Sequence, residues 1–149
     1  MRCTIASILS VIVIATLPTS ARAEPSVEFV SAFFSAYENA RQPDAKMDDI
    51  ETFLAFLADD LTDHHIAYSR TFQGKDHLRT GIQRKSQSMV SLSQDIESVV
   101  VGTSTVVAVV NEASQYHKDD KLKQFQGRTI YVLVFDDTGL IKEIRRYLD

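Results

Sequence analysis

The sequence predicts an α+β protein in which three N-terminal helices pack on one face of an antiparallel sheet. Three observations predict it. Apolar residues recur at three- and four-residue steps between residues 25 and 61 and again after Gly74. Long β-branched and alternating runs fill residues 91–148, and short polar turn signals divide those runs at hairpin spacing. Helical patterns followed by strand patterns segregate into an α+β arrangement rather than a parallel βαβ one.

The first helix is predicted over Pro25–Arg41, with Val27, Val30, Phe33, Phe34 and Tyr37 on its apolar face and Pro25 suited to its first turn. The polar linker "QPDAKM" interrupts it. The pattern resumes in "DDIETFLAFLADDL", where Ile50, Phe53, Leu54, Leu57 and Leu61 share a face and acids open the helix. After Leu61 the period drops towards two through "TDHHIAYS", a short strand. "GKDHLRTGIQRKSQS" then returns to helical spacing with Leu78 and Ile82, Gly74 making a turn and Asp76 serving as capping acid.

Four strands follow, "SLSQDIESVVVG", "TVVAVVNEASQYH", "LKQFQGRTIYVLVF" and "LIKEIRRYL", with turns at Gly102-Thr103, Lys118–Lys121 and Asp136–Gly139. Val106–Val110 and Ile130–Phe135 are apolar on both faces, whereas a sheet with one wet face alternates. The second face is therefore expected to be covered, with a partner subunit as the candidate.

Residues 1–23 read as a secretory signal peptide: Arg2, an apolar stretch from Ile5 to Leu17, and the small-x-small site Ala21-Arg22-Ala23. Residues 24–149 are then one domain, exported to the periplasm or the medium. The formal charge is −4 and becomes more acidic once Arg2 and Arg22 leave, which argues against nucleic acid and anionic membranes as partners and favours neutral or cationic small ligands. The one cysteine, Cys3, leaves with the leader. Disulfides, thiol nucleophiles and Cys-ligated metals are excluded from the mature chain, and no cofactor is expected.

Three segments carry a family resemblance. "FLADDLTDHH" resembles the helix-to-strand passage of the nuclear transport factor 2-like superfamily, "FQGKDHLRTGI" is similar to its Gly-Lys/Arg-Asp/Glu helix start, and "YVLVFDDTGLIKEIRRYLD" resembles its terminal hairpin. The superfamily includes ketosteroid isomerase, scytalone dehydratase, limonene epoxide hydrolase and the SnoaL-like polyketide cyclases. The resemblance covers the mature chain. It implies a cystatin-like cone in which a curved sheet wraps the helices, a pocket at the open end, and a homodimer through the convex face. It assigns no reaction, since the fold carries many chemistries and binding proteins with none.

The candidate site lies at His64 and His65. Adjacent strand residues point to opposite faces, so the two cannot chelate one metal or line one pocket together. Apolar alternation turns His64 inward beside Ile66 and Tyr68. The resemblance instead puts His65 at the position of the proton-shuttling aspartate of ketosteroid isomerase, and both assignments stay open. An imidazole, whose unperturbed pKa lies near about 6.5, suits a general acid or base. The resemblance also implies an oxyanion pair, but the matching positions hold Phe34 and Tyr131. Tyr131 retains a donor, and Tyr37 lies one turn from Phe34. No Asp-His or Asp-Arg-Asp network is legible.

Catalytic candidates are thus His65, His64 and Tyr131, and ligand-lining candidates are Phe34, Tyr37, Phe53, Tyr68 and Phe72, with no metal site. His77 and His117 read as solvated, and Lys118, Lys121, Lys123, Arg128, Arg145 and Arg146 as a solvated rim. An empty apolar cavity of about 300 Å³ would forfeit around 7 kcal/mol, so any pocket should be smaller, wet or liganded. Two functions follow: an exported small-molecule-binding or assembly protein, or a cofactor-independent isomerase, dehydratase or cyclase working through a pocket histidine.

Overall fold

A computed structural model describes residues 25–149. The leader assigned to residues 1–23 lies outside the described residues. Helix α1 spans Val27–Asn39, α2 Met47–Leu54 and α3 Asp76–Ser86; strands β1 to β6 span Leu57–His65, Arg70–Gln73, Met89–Val101, Thr105–Lys118, Lys121–Phe135 and Ile141–Leu148. A single six-stranded sheet runs β2-β1-β6-β5-β4-β3. All pairs are antiparallel except β1 with β6, which run parallel. The expected antiparallel sheet is therefore mixed, because β1 enters through the helices and lies beside the C-terminal strand instead of joining a hairpin with it.

The α1 cap differs from expectation. Pro25 precedes the helix, and the Ser26 hydroxyl caps it by accepting from the Phe29 amide at 3.1 Å. Helix α2 ends at Leu54, so Leu57 and Leu61 belong to β1. Their four-residue spacing matches a helical face, but two is also a divisor of four, and both point into the core from the strand. The short strand after Leu61 is in fact a hairpin: β1 ends at His65, a 3-10 turn covers Ile66–Tyr68, and β2 returns. Gly74, at φ 74°, closes it by donating from its amide to the Leu61 carbonyl at 2.7 Å. Asp76 is the first residue of α3 rather than its cap; Lys75 precedes it with no side-chain capping bond.

Val106, Ala108 and Val110 of β4, Tyr131, Leu133 and Phe135 of β5, and Ile141 and Ile144 of β6 alternate onto the helix-covered face. Phe33 anchors this core, with its ring centroid 4.9 Å from Phe34 and 5.4 Å from Phe53. At 14 and 15 residues, β4 and β5 reach roughly 45–50 Å, whereas the 13-residue α1 reaches about 20 Å. The helices thus cover only part of the sheet. The outward residues Val107, Val109, Val132 and Val134 are half-buried, and Val100 is 67% exposed.

Candidate functional site

The parallel pairing of β1 with β6 builds the site. In that register Asp63 lies opposite Ile144 and His65 opposite Arg146, so Asp63, His65 and Arg146 project from the same face. Asp63 is fully buried, at 0% exposure. Arg146 reaches it with a two-pronged grip, Nε to Oδ1 at 3.0 Å and Nη2 to Oδ2 at 2.9 Å. The Nε2 atoms of His65 and His77 also approach Oδ2, at 3.2 and 3.3 Å. The buried carboxylate thus gathers one guanidinium and two imidazoles, one contact falling on Oδ1 and three on Oδ2.

Burial pushes the Asp63 carboxyl up, but Arg146 and the hydrogen bonds from His65 and His77 outweigh it and hold the group well below the usual carboxylate range. An ionised carboxylate only accepts, so both imidazoles must carry their proton on Nε2. A ring with its one proton on Nε2 has Nδ1 as an acceptor. Nδ1 of His77 is buried without a partner. His65, whose side chain is 28% exposed, lines the cavity wall.

Arg146 continues the network, donating from Nη1 to the Tyr37 hydroxyl at 2.7 Å. Arg41 stacks on the Tyr37 ring, 3.9 Å from its centroid, and donates to Glu112 Oε2 at 2.8 Å. The two buried tyrosines diverge. Burial pushes Tyr37 up, but Arg146, Arg41 and Lys85 outweigh it and bring the phenol below its ordinary value. Burial together with Tyr37 pushes Tyr131 above its ordinary value despite Arg146 and Arg41. Tyr131 is the harder of the two phenols to ionise.

A cavity of about 530 Å³ opens over this floor, lined by Tyr37, His65, His77 and Arg146 below and by Phe72, Leu78 and Ile82 at its side. Phe72 orders the wall: its ring stacks on His77, centroids 4.8 Å apart, and meets His65 edge-on at 5.4 Å. A smaller hollow of about 130 Å³ continues past His65 to Tyr131. The cavity exceeds the expected apolar limit because its wall carries guanidinium, imidazole and hydroxyl groups that water can satisfy.

The structure brings His65, Tyr37, Tyr68 and Phe72 to one cavity, with Tyr131 in the adjoining hollow. His64 faces away, with Nδ1 3.0 Å from Thr71 Oγ1 and Nε2 3.4 Å from Glu143 Oε1. The inward placement of His64 fails because the strand stops at His65, leaving Ile66 and Tyr68 off the alternation that supported it. Phe34 and Phe53 pack in the core and line no part of the cavity. His77 is not solvated but bound to Asp63, and Arg146 is not a rim residue but is 13% exposed in the floor. Arg145, Arg128 and His117 remain outside.

No protein-family model matches the chain, and no curated protein matches it closely. Solved structures do. An LEH-like epoxide hydrolase from M. tuberculosis is 22% identical, with 83% of this chain and 81% of that one covered at a TM-score of 0.64. A protein from Shewanella denitrificans OS-217, assigned to the SnoaL-like polyketide cyclases, is 16% identical over 82% and 88% of the chains at 0.69. An NTF2-like protein of unknown function from Exiguobacterium sp. 255-15 is 10% identical over 81% and 98% at 0.67. Helices on one face of a six-stranded mixed sheet, with a hollow beside them, define an α+β protein with a ligand-sized interior. The fold is the nuclear transport factor 2-like one.

Proposed function

We propose that this chain is an exported protein that binds a small molecule in the cavity above Asp63 and acts on it by cofactor-independent proton transfer through His65. The observation that carries the reading is the contact of His65 Nε2 with the buried Asp63 carboxylate, at 3.2 Å, in a residue that lines the cavity; with the proton on Nε2, the neutral ring has Nδ1 as its acceptor. In the forward step Nδ1 takes a proton from a C–H or O–H of the bound molecule, whose electron pair stays behind. The imidazolium that forms is stabilised by the Asp63 carboxylate beside it. Returning the proton to another atom completes an isomerisation, elimination or ring closure. Tyr131, with its proton held firmly, serves as a donor from the adjoining hollow.

The similar structures include an LEH-like epoxide hydrolase and a protein assigned to the polyketide cyclases, so epoxides and polyketide-type carbonyl compounds head the panel of compounds to assay. On any compound turned over, His65→Ala is expected to lower the rate by about 10²–10⁴-fold while His64→Ala leaves it near wild type. Equal turnover in His65→Ala and wild type would refute the mechanism.

A second reading, assembly, is favoured by the half-buried outward residues Val107, Val109, Val132 and Val134. They offer an apolar face to a second copy, and a homodimer formed there leaves the cavity free.

A further inference from the structure

The charge of the cavity is opposite to that of the chain. Asp and Glu outnumber Lys and Arg by 20 to 16 in the sequence, yet among the described residues lining the cavity there are five Lys or Arg and no Asp or Glu, and Glu112, which lines the adjoining hollow, is held by Arg41. Two of the five are already neutralised: Arg146 by Asp63 and Arg41 by Glu112. Arg70, Arg84 and Lys85 make no ion pair among the described residues, unlike Arg79, Arg128 and Arg145, each of which holds a carboxylate. The last turn of α3 favours cations through the helix dipole, which accounts for Arg84 and Lys85 as residue types. It does not account for Arg70, which reaches the same cavity from β2.

We propose that the ligand is a small organic anion whose charged end is held by Arg70, Arg84 and Lys85 and whose apolar body lies along Phe72, Leu78 and Ile82. This inference rests on the cavity being a ligand site and names the chemical class that the site takes. Three cations without counter-ions around an apolar wall repel one another until an anion joins them, and a guanidinium meets a carboxylate through two parallel hydrogen bonds. The proposal departs from the preference for neutral or cationic ligands drawn from net charge, because a local field depends on which residues line the hollow and not on the sum over the chain.

The test uses three isosteric probes on the purified protein: 2-naphthoate, 2-naphthamide and 2-naphthylmethylammonium, each titrated by calorimetry at low and at high salt. The expected result is that naphthoate binds at least about tenfold more tightly than the amide at low salt, with the gap narrowing as salt rises. In the triple variant Arg70→Gln/Arg84→Gln/Lys85→Gln the ratio of naphthoate to naphthamide affinity falls to near one; all three residues are exposed, so the fold is retained. Amide or ammonium binding as tightly as naphthoate would overturn the anion assignment while leaving the ligand site standing. Uptake of none of the three would overturn both.

Discussion

Arg146 holds Asp63 by both carboxylate oxygens, at 3.0 and 2.9 Å, across the one parallel strand pair of the sheet. The contact ties the end of the chain to the strand that follows the second helix, and it turns a buried charge into the centre of the site. Asp63→Asn leaves the Arg146 charge with no anion beside it and is expected to cost about 3–5 kcal/mol, read as a fall in the urea midpoint at unchanged slope. The same variant changes the response to acid. The folded carboxyl lies below its unfolded value of about 3.9, so its contribution is complete above about pH 5 and is lost as pH falls through the folded value. Wild type therefore loses stability on acidification more steeply than Asp63→Asn, and parallel acid limbs would contradict the assignment.

Tyr37 and Tyr131 share one hollow, and their surroundings push the two phenols in opposite directions from the ordinary value. Ultraviolet titration of phenolate absorbance should show one tyrosine ionising below the ordinary phenol range, and Tyr37→Phe should remove that first step. Tyr131→Phe should leave it in place. Loss of the first step in Tyr131→Phe instead would reverse the electrostatics of the floor.

Phe53 is a core residue at 0% exposure, against Phe33 and Tyr37. Phe53→Ala should lower stability by about 3–5 kcal/mol. Phe72→Ala, at a half-buried cavity wall, should cost less and should weaken naphthoate binding in calorimetry. A larger stability loss at Phe72 than at Phe53 would contradict this division of the aromatics.

The outward valines predict an assembly that a buried charge breaks. Val132→Glu or Val134→Glu should halve the mass seen by light scattering, since a carboxylate in a dry interface is costly. An unchanged mass would remove the sheet as the dimer surface.

The four long strands and their turns were legible because alternation, β-branching and turn residues coincide from Ser91 to Leu148. The end of α2 was not, since Leu57 and Leu61 satisfy helix and strand spacing alike and only the tertiary fold chooses between them. The site was half legible. His65 stood out as an imidazole in a strand, and Tyr37 as a phenol one turn from Phe34. Asp63 and Arg146, 83 residues apart, looked like ordinary surface charges until the parallel register of β1 and β6 brought them together. Their signal in the sequence was the i, i+2 relation of Asp63 to His65 and of Ile144 to Arg146, which puts each polar residue on an apolar face. His77 was hidden by its place in the polar first turn of α3.

Imidazole ¹⁵N spectra of the protein, recorded with and without 2-naphthoate, bear most directly on the account of Asp63 as the hub that presents His65 to a bound molecule. Neutral His65 and His77 should both be protonated on Nε2, and the probe should shift Nδ1 of His65 while leaving His64 unmoved. A proton on Nδ1 of His65, or a response at His64 in place of His65, would contradict it.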